Sequence, residues 1–301
     1  MTAFRHIAII GTGLIGGSVA RAVREKLPDM QLSGFDRDIA TRNRASELGL
    51  FDAVHDDYAA LSAADLVLLC VPVGAMGDVA SDIAPHITPD AIISDVGSCK
   101  ASVLADLRAA LPGAAIIPAH PVAGTEKSGP DAGFASLFEG RWCILTPDAD
   151  AKETDIARLE AFWTALGADT ERMDATHHDR VLAVTSHLPH LIAYTIVGTA
   201  SDLESVTRSE VIKYSAGGFR DFTRIAASDP VMWRDVFLSN REAVLDMLQR
   251  FTEDLTALQR AIRRDEGDVL EDLFSRTRAI RRRIIDEGQD DASADFGRRH
   301  D

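Results

Sequence analysis

Between Phe4 and about Thr146, short apolar runs alternate with segments of helical periodicity. The runs His6–Ile10, Gln31–Phe35, Leu66–Val71, Ala91–Ser94, Ala114–Ile117 and Trp142–Leu145 predict strands. Most are continuously apolar, the pattern of strands buried on both faces. Leu14–Lys26, Ile39–Leu48 and Ala101–Ala110 predict helices between them. Such alternation predicts a doubly wound parallel sheet. A helix over Lys152–Leu166 and a strand over Thr170–Met173 close this half.

Beyond Asp174, a plausible helix N-cap, the strand signals stop and the chain reads as helices almost to Gly288. Trp233, Phe237, Val244, Met247, Leu248, Phe251, Leu255, Leu258 and Ile262 recur at spacings of three, four and seven. That stripe predicts one long amphipathic helix or two in succession. It fits an internal core. It also fits a core shared by two copies, which the small helical half and its long apolar faces favour. The expected division is a dinucleotide-binding domain over 1–173, a helical substrate and dimerisation domain over 174–288, and a polar, disordered tail over 289–301.

Lys and Arg number 32 against 47 Asp and Glu, a net charge of −15. That balance repels phosphate backbones and anionic lipid, so neither nucleic acid nor a membrane is expected as a partner. The longest apolar run, Leu66 to Val73, is far shorter than the roughly 18–20 residues of a membrane span. Cys70, Cys99 and Cys143 form no Cys-x-x-Cys pair, and two of them lie in apolar stretches. With a strand-like run in place of a secretory leader, they predict a reduced cytoplasmic setting.

Gly11, Gly13 and Gly16 form Gly-x-Gly-x-x-Gly between an apolar strand and a helix. In that context the first glycine makes a tight turn and the second admits a pyrophosphate. The third lets helix and strand pack closely, while the helix N-terminus supplies N–H groups. Asp36 ends the second strand 20 residues after Gly16, where a carboxylate accepts from ribose hydroxyls. It opposes a 2′-phosphate and so favours NAD. The neighbouring Arg37 keeps NADP open. The expected cofactor contacts are Gly11, Gly13, Leu14, Ile15, Gly16, Asp36 and Arg37. The alternative is a glycine-rich turn without a ligand.

Asp95-Val96-Gly97-Ser98-Cys99-Lys100 and His120-Pro121-Val122-Ala123-Gly124-Thr125-Glu126 follow the predicted strands Ala91–Ser94 and Ala114–Ile117, at the sheet edge where such folds bind ligands. Alcohol oxidation needs a group that takes the hydroxyl proton as hydride leaves, and histidine suits that task near neutral pH. His120 is the candidate base, with Ser98 bonding the same hydroxyl or orienting the ring. The structural alternative has Ser98 capping the next helix and His120 bonding its own turn. His177, His178, His187 and His190 lie close together, but without zinc-like ligand spacing, so no metal is expected. Gly217 to Arg224 reads as a glycine-hinged loop with two arginines, able to grip an anion or simply solvated.

Together these segments resemble the prephenate and arogenate dehydrogenase family of tyrosine biosynthesis. The resemblance rests on Gly11–Ser18, Asp95–Lys100, His120–Glu126, Ser186-His187-Leu188-Pro189-His190, Gly217–Arg224, Asp229-Pro230 and Trp233. It covers residues 4–285 and implies a Rossmann-like sheet followed by an all-helical dimerisation domain. It also implies that His120 is the base and that Ser98 aligns substrate with nicotinamide. Arg224 would bind a substrate carboxylate and His190 the substrate side chain, with Ser186 lining the pocket. Glu126 and Asp221 would gate access through an ionic network. The implied substrate is a small dicarboxylate or amino acid: prephenate, arogenate or both. No residue in the sequence settles that choice; Asp221 or Glu210, if near the pocket, would favour the amine of arogenate. After the last helix too few residues remain for a regulatory domain. The rivals are a β-hydroxyacid-type dehydrogenase and a non-catalytic NAD sensor. The first needs a helical-domain lysine, for which Lys213 lacks the expected surroundings.

Overall fold

The computed structural model describes residues 4–202 and 217–286, so Glu210, Lys213 and the tail over 289–301 lie outside the described residues. Six parallel strands form the main sheet. They are β1 (His6–Ile10), β2 (Gln31–Phe35), β3 (Ala53–His55), β4 (Leu66–Leu69), β5 (Ile92–Asp95) and β6 (Ala115–Ile116), in spatial order β3-β2-β1-β4-β5-β6. The order reverses between β1 and β4, which opens the crevice at which doubly wound sheets bind ligands. Every residue of β1 and β4 is buried. Their apolar runs are therefore the centre of the sheet, each large side chain contributing about 1.5–3 kcal/mol by leaving water. Helices α1 (Leu14–Lys26), α2 (Ile39–Glu47), α3 (Met76–Ile83), α4 (Ala101–Ala110) and α5 (Glu153–Ala165) accompany it. Val19 and Val23 of α1 and Phe162 and Trp163 of α5 join Ile7, Ile9, Leu66 and Leu68 in one core.

One expectation is corrected here. His120 comes after β6 in the chain but is not at the carboxyl end of a parallel-sheet strand. It lies within β7 (Ala119–Pro121), which pairs antiparallel with β8 (Trp142–Leu145). β8 pairs in parallel with β9 (Asp169–Arg172), making a separate three-stranded sheet. The apolar run at Trp142 predicted a strand, but apolarity carries no information about which sheet it joins. β3, β7 and α3 are also additions, each too short or too mixed to stand out.

From Ala175 the chain is helical through α6 (Ala175–Leu182), a π-helical turn (Ala183–His187) and α7 (Leu188–Asp202). Asp174 caps α6 by accepting from the His177 N–H. This stretch of 28 residues contains an 18-residue window of mean hydropathy 1.4 and is long and apolar enough to cross a membrane by length and composition alone. The sequence expectation missed it because isolated polar residues interrupt every apolar run. Its His178, Asp179 and His187 are buried, which ties its first half to the α/β body. α8 (Gly217–Thr223), α9 (Pro230–Ser239), α10 (Arg241–Arg263) and α11 (Gly267–Asp286) complete the described chain. The predicted glycine-hinged loop is thus a short helix, and the apolar stripe is split between α9 and α10.

The chain forms two compact units, Met1–His190 with Ala227–Val244, and Leu191–Ala226 with Leu245–Asp301. The change of texture at Asp174 falls inside the first, because α6 packs on α4 and α9 packs on the turn before α3. Trp233 and Val244 of the stripe are buried, whereas Leu245, Leu255 and Ile262 on α10 are exposed, as are Val269, Phe274 and Ile280 on α11.

Candidate active site

The glycine loop has the shape a dinucleotide requires. Gly11 adopts φ +96°, and a Cβ there would stand 2.5 Å from the Cys70 carbonyl oxygen. At Gly16 a Cβ would collide with the Gly11 carbonyl, so α1 packs against β1 only because this residue has no side chain. Around Gly13, by contrast, no atom lies within 4 Å of a Cβ position. No side chain caps α1, which leaves its N-terminal dipole directed at that open space. The Asp36 carboxylate accepts from the Thr12 N–H at 2.9 Å, the Thr12 hydroxyl at 3.2 Å and the Asp38 N–H at 3.0 Å. A carboxylate offers about four acceptor positions, so capacity for a ribose hydroxyl remains. These residues fit a dinucleotide.

At the end of β5 the buried Lys100 ammonium pairs with Asp95 and donates to the Ala119 carbonyl at 2.7 Å. This ties the turn carrying Ser98 to the strand carrying His120. Burial pushes the Asp95 carboxyl up, and Lys100 opposes that. Ser98 does not cap α4. The Asp179 carboxylate does so from α6, accepting from the Lys100 N–H at 2.8 Å and the Ala101 N–H at 2.9 Å.

Nor does His120 bond its own turn. Its Nδ1 lies 2.8 Å from His178 Nε2, and His178 Nδ1 lies 2.9 Å from Asp179 Oδ1. The Asn240 amide donates to the Asp179 carbonyl at 2.7 Å and to His187 Nδ1 at 3.1 Å. His190 stacks on Trp233, with ring centroids 3.7 Å apart, and its Nδ1–H donates to the Ser186 carbonyl at 2.8 Å. The π-helical turn sets the phase between His178 and the Ser186–His190 segment, a use often made of such turns at functional sites.

Burial dominates the electrostatics. It holds His120 well below the ordinary histidine range, with smaller contributions from His178, Lys100 and His187. It lowers His178 against the opposing hydrogen bond from Asp179, and it brings His187 down to about 4. The three cysteines are unpaired, and burial raises all three thiols, Cys99 up to about 12, so none offers a thiolate nucleophile. Among the described residues no group of three or more His, Cys, Asp or Glu is arranged to hold a metal ion.

The three lowered histidines make stability pH-dependent. In the unfolded chain they take up protons below about pH 6.5, while the folded chain holds them neutral. Stability is therefore complete above that pH and declines as pH falls toward 4, by about 1.4 kcal/mol per pH unit for each such histidine. Urea midpoints measured from pH 8 to pH 4.5 check this. A flat profile would contradict the neutral buried cluster.

The first unit holds Ser98, His120, Ser186 and His190; His120 is bonded to His178 of α6, and His190 to the Ser186 carbonyl. Glu126 is half-buried on the chain that follows β7. Asp221 and Arg224 belong to the second unit, both exposed, at α8 and immediately after it. Sequence reasoning had not singled out Asp179, Lys100 or Asn240 for any role. Asp179 follows a histidine already noted, but nothing in the sequence shows that it caps a helix 79 residues away.

This fold and loop define a dinucleotide-dependent oxidoreductase. Two family models match in succession: the prephenate dehydrogenase nucleotide-binding domain over residues 19–172, and its dimerization domain over residues 174–276. A cyclohexadienyl dehydrogenase of Zymomonas mobilis is 49% identical over 282 residues, covering 93% of this chain and 96% of the relative. The prephenate dehydrogenase of A. aeolicus, solved with hydroxyphenyl propionate and NAD+, superposes with a TM-score of 0.88. It is 33% identical, over 93% of this chain and 98% of that one. The Synechocystis arogenate dehydrogenase gives 0.78 at 26% identity, over 92% and 99%. The chain belongs to the prephenate dehydrogenase family.

Proposed function

We propose that this chain oxidises and decarboxylates a cyclohexadienyl carboxylate (prephenate, arogenate or both) with NAD as oxidant, on the route to tyrosine. The observation that carries the proposal is the buried imidazole of His120, held through Nδ1 by His178 and kept by burial well below the ordinary histidine range, in a chain 49% identical to a cyclohexadienyl dehydrogenase. Gly11, Gly13, Leu14, Ile15 and Gly16 would hold the pyrophosphate and Asp36 the ribose, with Arg37 beside it. When bound, NAD supplies the hydride acceptor. His120 takes the proton of the ring hydroxyl as that carbon is oxidised, and Ser98 bonds the same hydroxyl. The dienone draws electrons from the ring carboxylate, which leaves as CO2, and aromatisation makes the step irreversible.

In this account Arg224 binds a substrate carboxylate, His190 the side-chain end, and Ser186 lines the pocket. Glu126 and Asp221 serve as acidic partners in an ionic network that gates access. An arginine that held the departing carboxylate tightly would oppose its loss, so Arg224 serves binding. Arg224→Ala is expected to raise KM by about 10- to 10²-fold, the worth of a charge-assisted pair, and to change kcat by less. The opposite split in steady-state kinetics would reassign it. The match to a dimerization domain and the exposed apolar residues of α10 and α11 support a homodimer. Three unpaired cysteines support a cytoplasmic setting.

The test is the rate of NAD and NADP reduction by purified protein with each of the two substrates. Turnover with either establishes the function, and the ratio of kcat/KM values names substrate and cofactor. NAD binding without turnover of any pair would move the weight to the β-hydroxyacid or sensor reading.

A further inference from the structure

A base in a dehydrogenase must present an unprotonated nitrogen to the substrate and must tolerate the positive charge it acquires. Both requirements can be traced through the hydrogen bonds behind His120. The Asp179 carboxylate already accepts two backbone N–H groups at the start of α4 and has only acceptor capacity toward His178. His178 Nδ1 must therefore carry the proton shared with Asp179 Oδ1. In a neutral ring this leaves His178 Nε2 as an acceptor, and among the described residues His120 Nδ1 bonds to it, 2.8 Å away. His120 Nδ1 therefore carries the donated proton, and its Nε2 is the basic nitrogen.

We infer that His178 and Asp179 are positioning residues for His120, fixing its tautomer and compensating the charge it gains during hydride transfer. This rests on the proposed role of His120 and goes beyond it, since the relay comes from a helix 58 residues away in sequence. The charged and titratable groups around His120 are His178 and Asp179 on α6, His187 on the π-helical turn, Lys100 and Asp95 at the end of β5, and Cys143 on β8. Lys100 is paired with Asp95, so Asp179 supplies the negative charge nearest the relay. When His120 takes the substrate proton at Nε2, its Nδ1–H bond to His178 strengthens. The proton can shift onto His178 Nε2, and the resulting cation then faces Asp179. The pair gains the one proton that the substrate hydroxyl loses, and the shift between the two rings only relocates that charge.

Two variants and one measurement on the unaltered protein test the inference. His178→Gln keeps the Asp179 cap of α4 but cannot accept a proton. Its kcat is expected to fall by roughly 10- to 10²-fold with KM nearly unchanged, less than the ~10²–10⁴-fold that removing a general base costs. Asp179→Asn removes the compensating charge, so the acid limb of its kcat profile is expected to move to lower pH while kcat falls. Folded variants with unaltered kcat and pH profile would overturn the inference. Nitrogen chemical shifts of the histidine rings in the unaltered protein decide it even where a variant fails to fold. The expected result is Nδ1–H on both His120 and His178, and Nε2–H on either ring at neutral pH would overturn it. These shifts do not depend on turnover, so failure of the proposed reaction and failure of the relay are separately visible.

Discussion

His120→Asn is expected to lower kcat by ~10²–10⁴-fold while leaving KM for the cyclohexadienyl substrate within a few-fold of its starting value. The amide nitrogen of Asn can stand close to where Nδ1 now lies and still donate to His178 Nε2, so the network behind the site keeps its bond. What is lost is Nε2, the only atom of the side chain able to take the hydroxyl proton. The residual rate reflects positioning of the hydroxyl by Ser98 and proton loss to water. Burial already holds His120 neutral, so the unaltered enzyme should keep its base active well below pH 6.5. Steady-state kinetics over pH 5 to 9 would check both statements. A variant that loses KM but keeps kcat would remove His120 from the base role.

The second large effect concerns the glycine loop, where two neighbouring substitutions should behave differently. Gly13 has φ −72° and ψ −150°, an extended conformation that alanine adopts, and a Cβ there meets nothing. Gly13→Ala is therefore expected to fold with an unchanged Tm. Its methyl group nevertheless projects into the space a pyrophosphate must enter, and NAD affinity should fall by about 10²-fold, the order expected when a ligand is displaced by an ångström. Gly16→Ala forces its Cβ against the Gly11 carbonyl and so separates α1 from β1. That variant should lose stability as well as NAD binding. Thermal melts with calorimetric NAD titrations distinguish the two. A Gly13→Ala protein that binds NAD normally would show that the pyrophosphate does not pass this residue.

Much of the α/β body was legible because buried parallel strands are written as uninterrupted apolar runs. His6–Ile10 and Gln31–Phe35 appear with the predicted bounds, and Leu14–Lys26 and Ala101–Ala110 likewise. The glycine loop was legible because its chemistry is local: three glycines, a strand before and a helix after. The second sheet was not, since Ala119–Pro121 is only three residues long and its partner is set by tertiary packing. The same limit applies to the site. Histidine and serine in short motifs after apolar runs announce themselves, whereas the cap that Asp179 places on α4 depends on two helices meeting in space. The buried Lys100 was visible in its motif, but its pairing with Asp95 and the Ala119 carbonyl comes only from the fold.

The central claim is that oxidation and loss of CO2 are one coupled event on a cyclohexadienyl ring, begun by His120. The most direct measurement follows substrate labelled in the ring carboxylate with NAD and the purified protein, counting labelled CO2, NADH and aromatic product together. The account predicts equal amounts of all three at every time point, and none above background for His120→Asn on the same time scale. NADH formed without CO2, or label released without NADH, would contradict it.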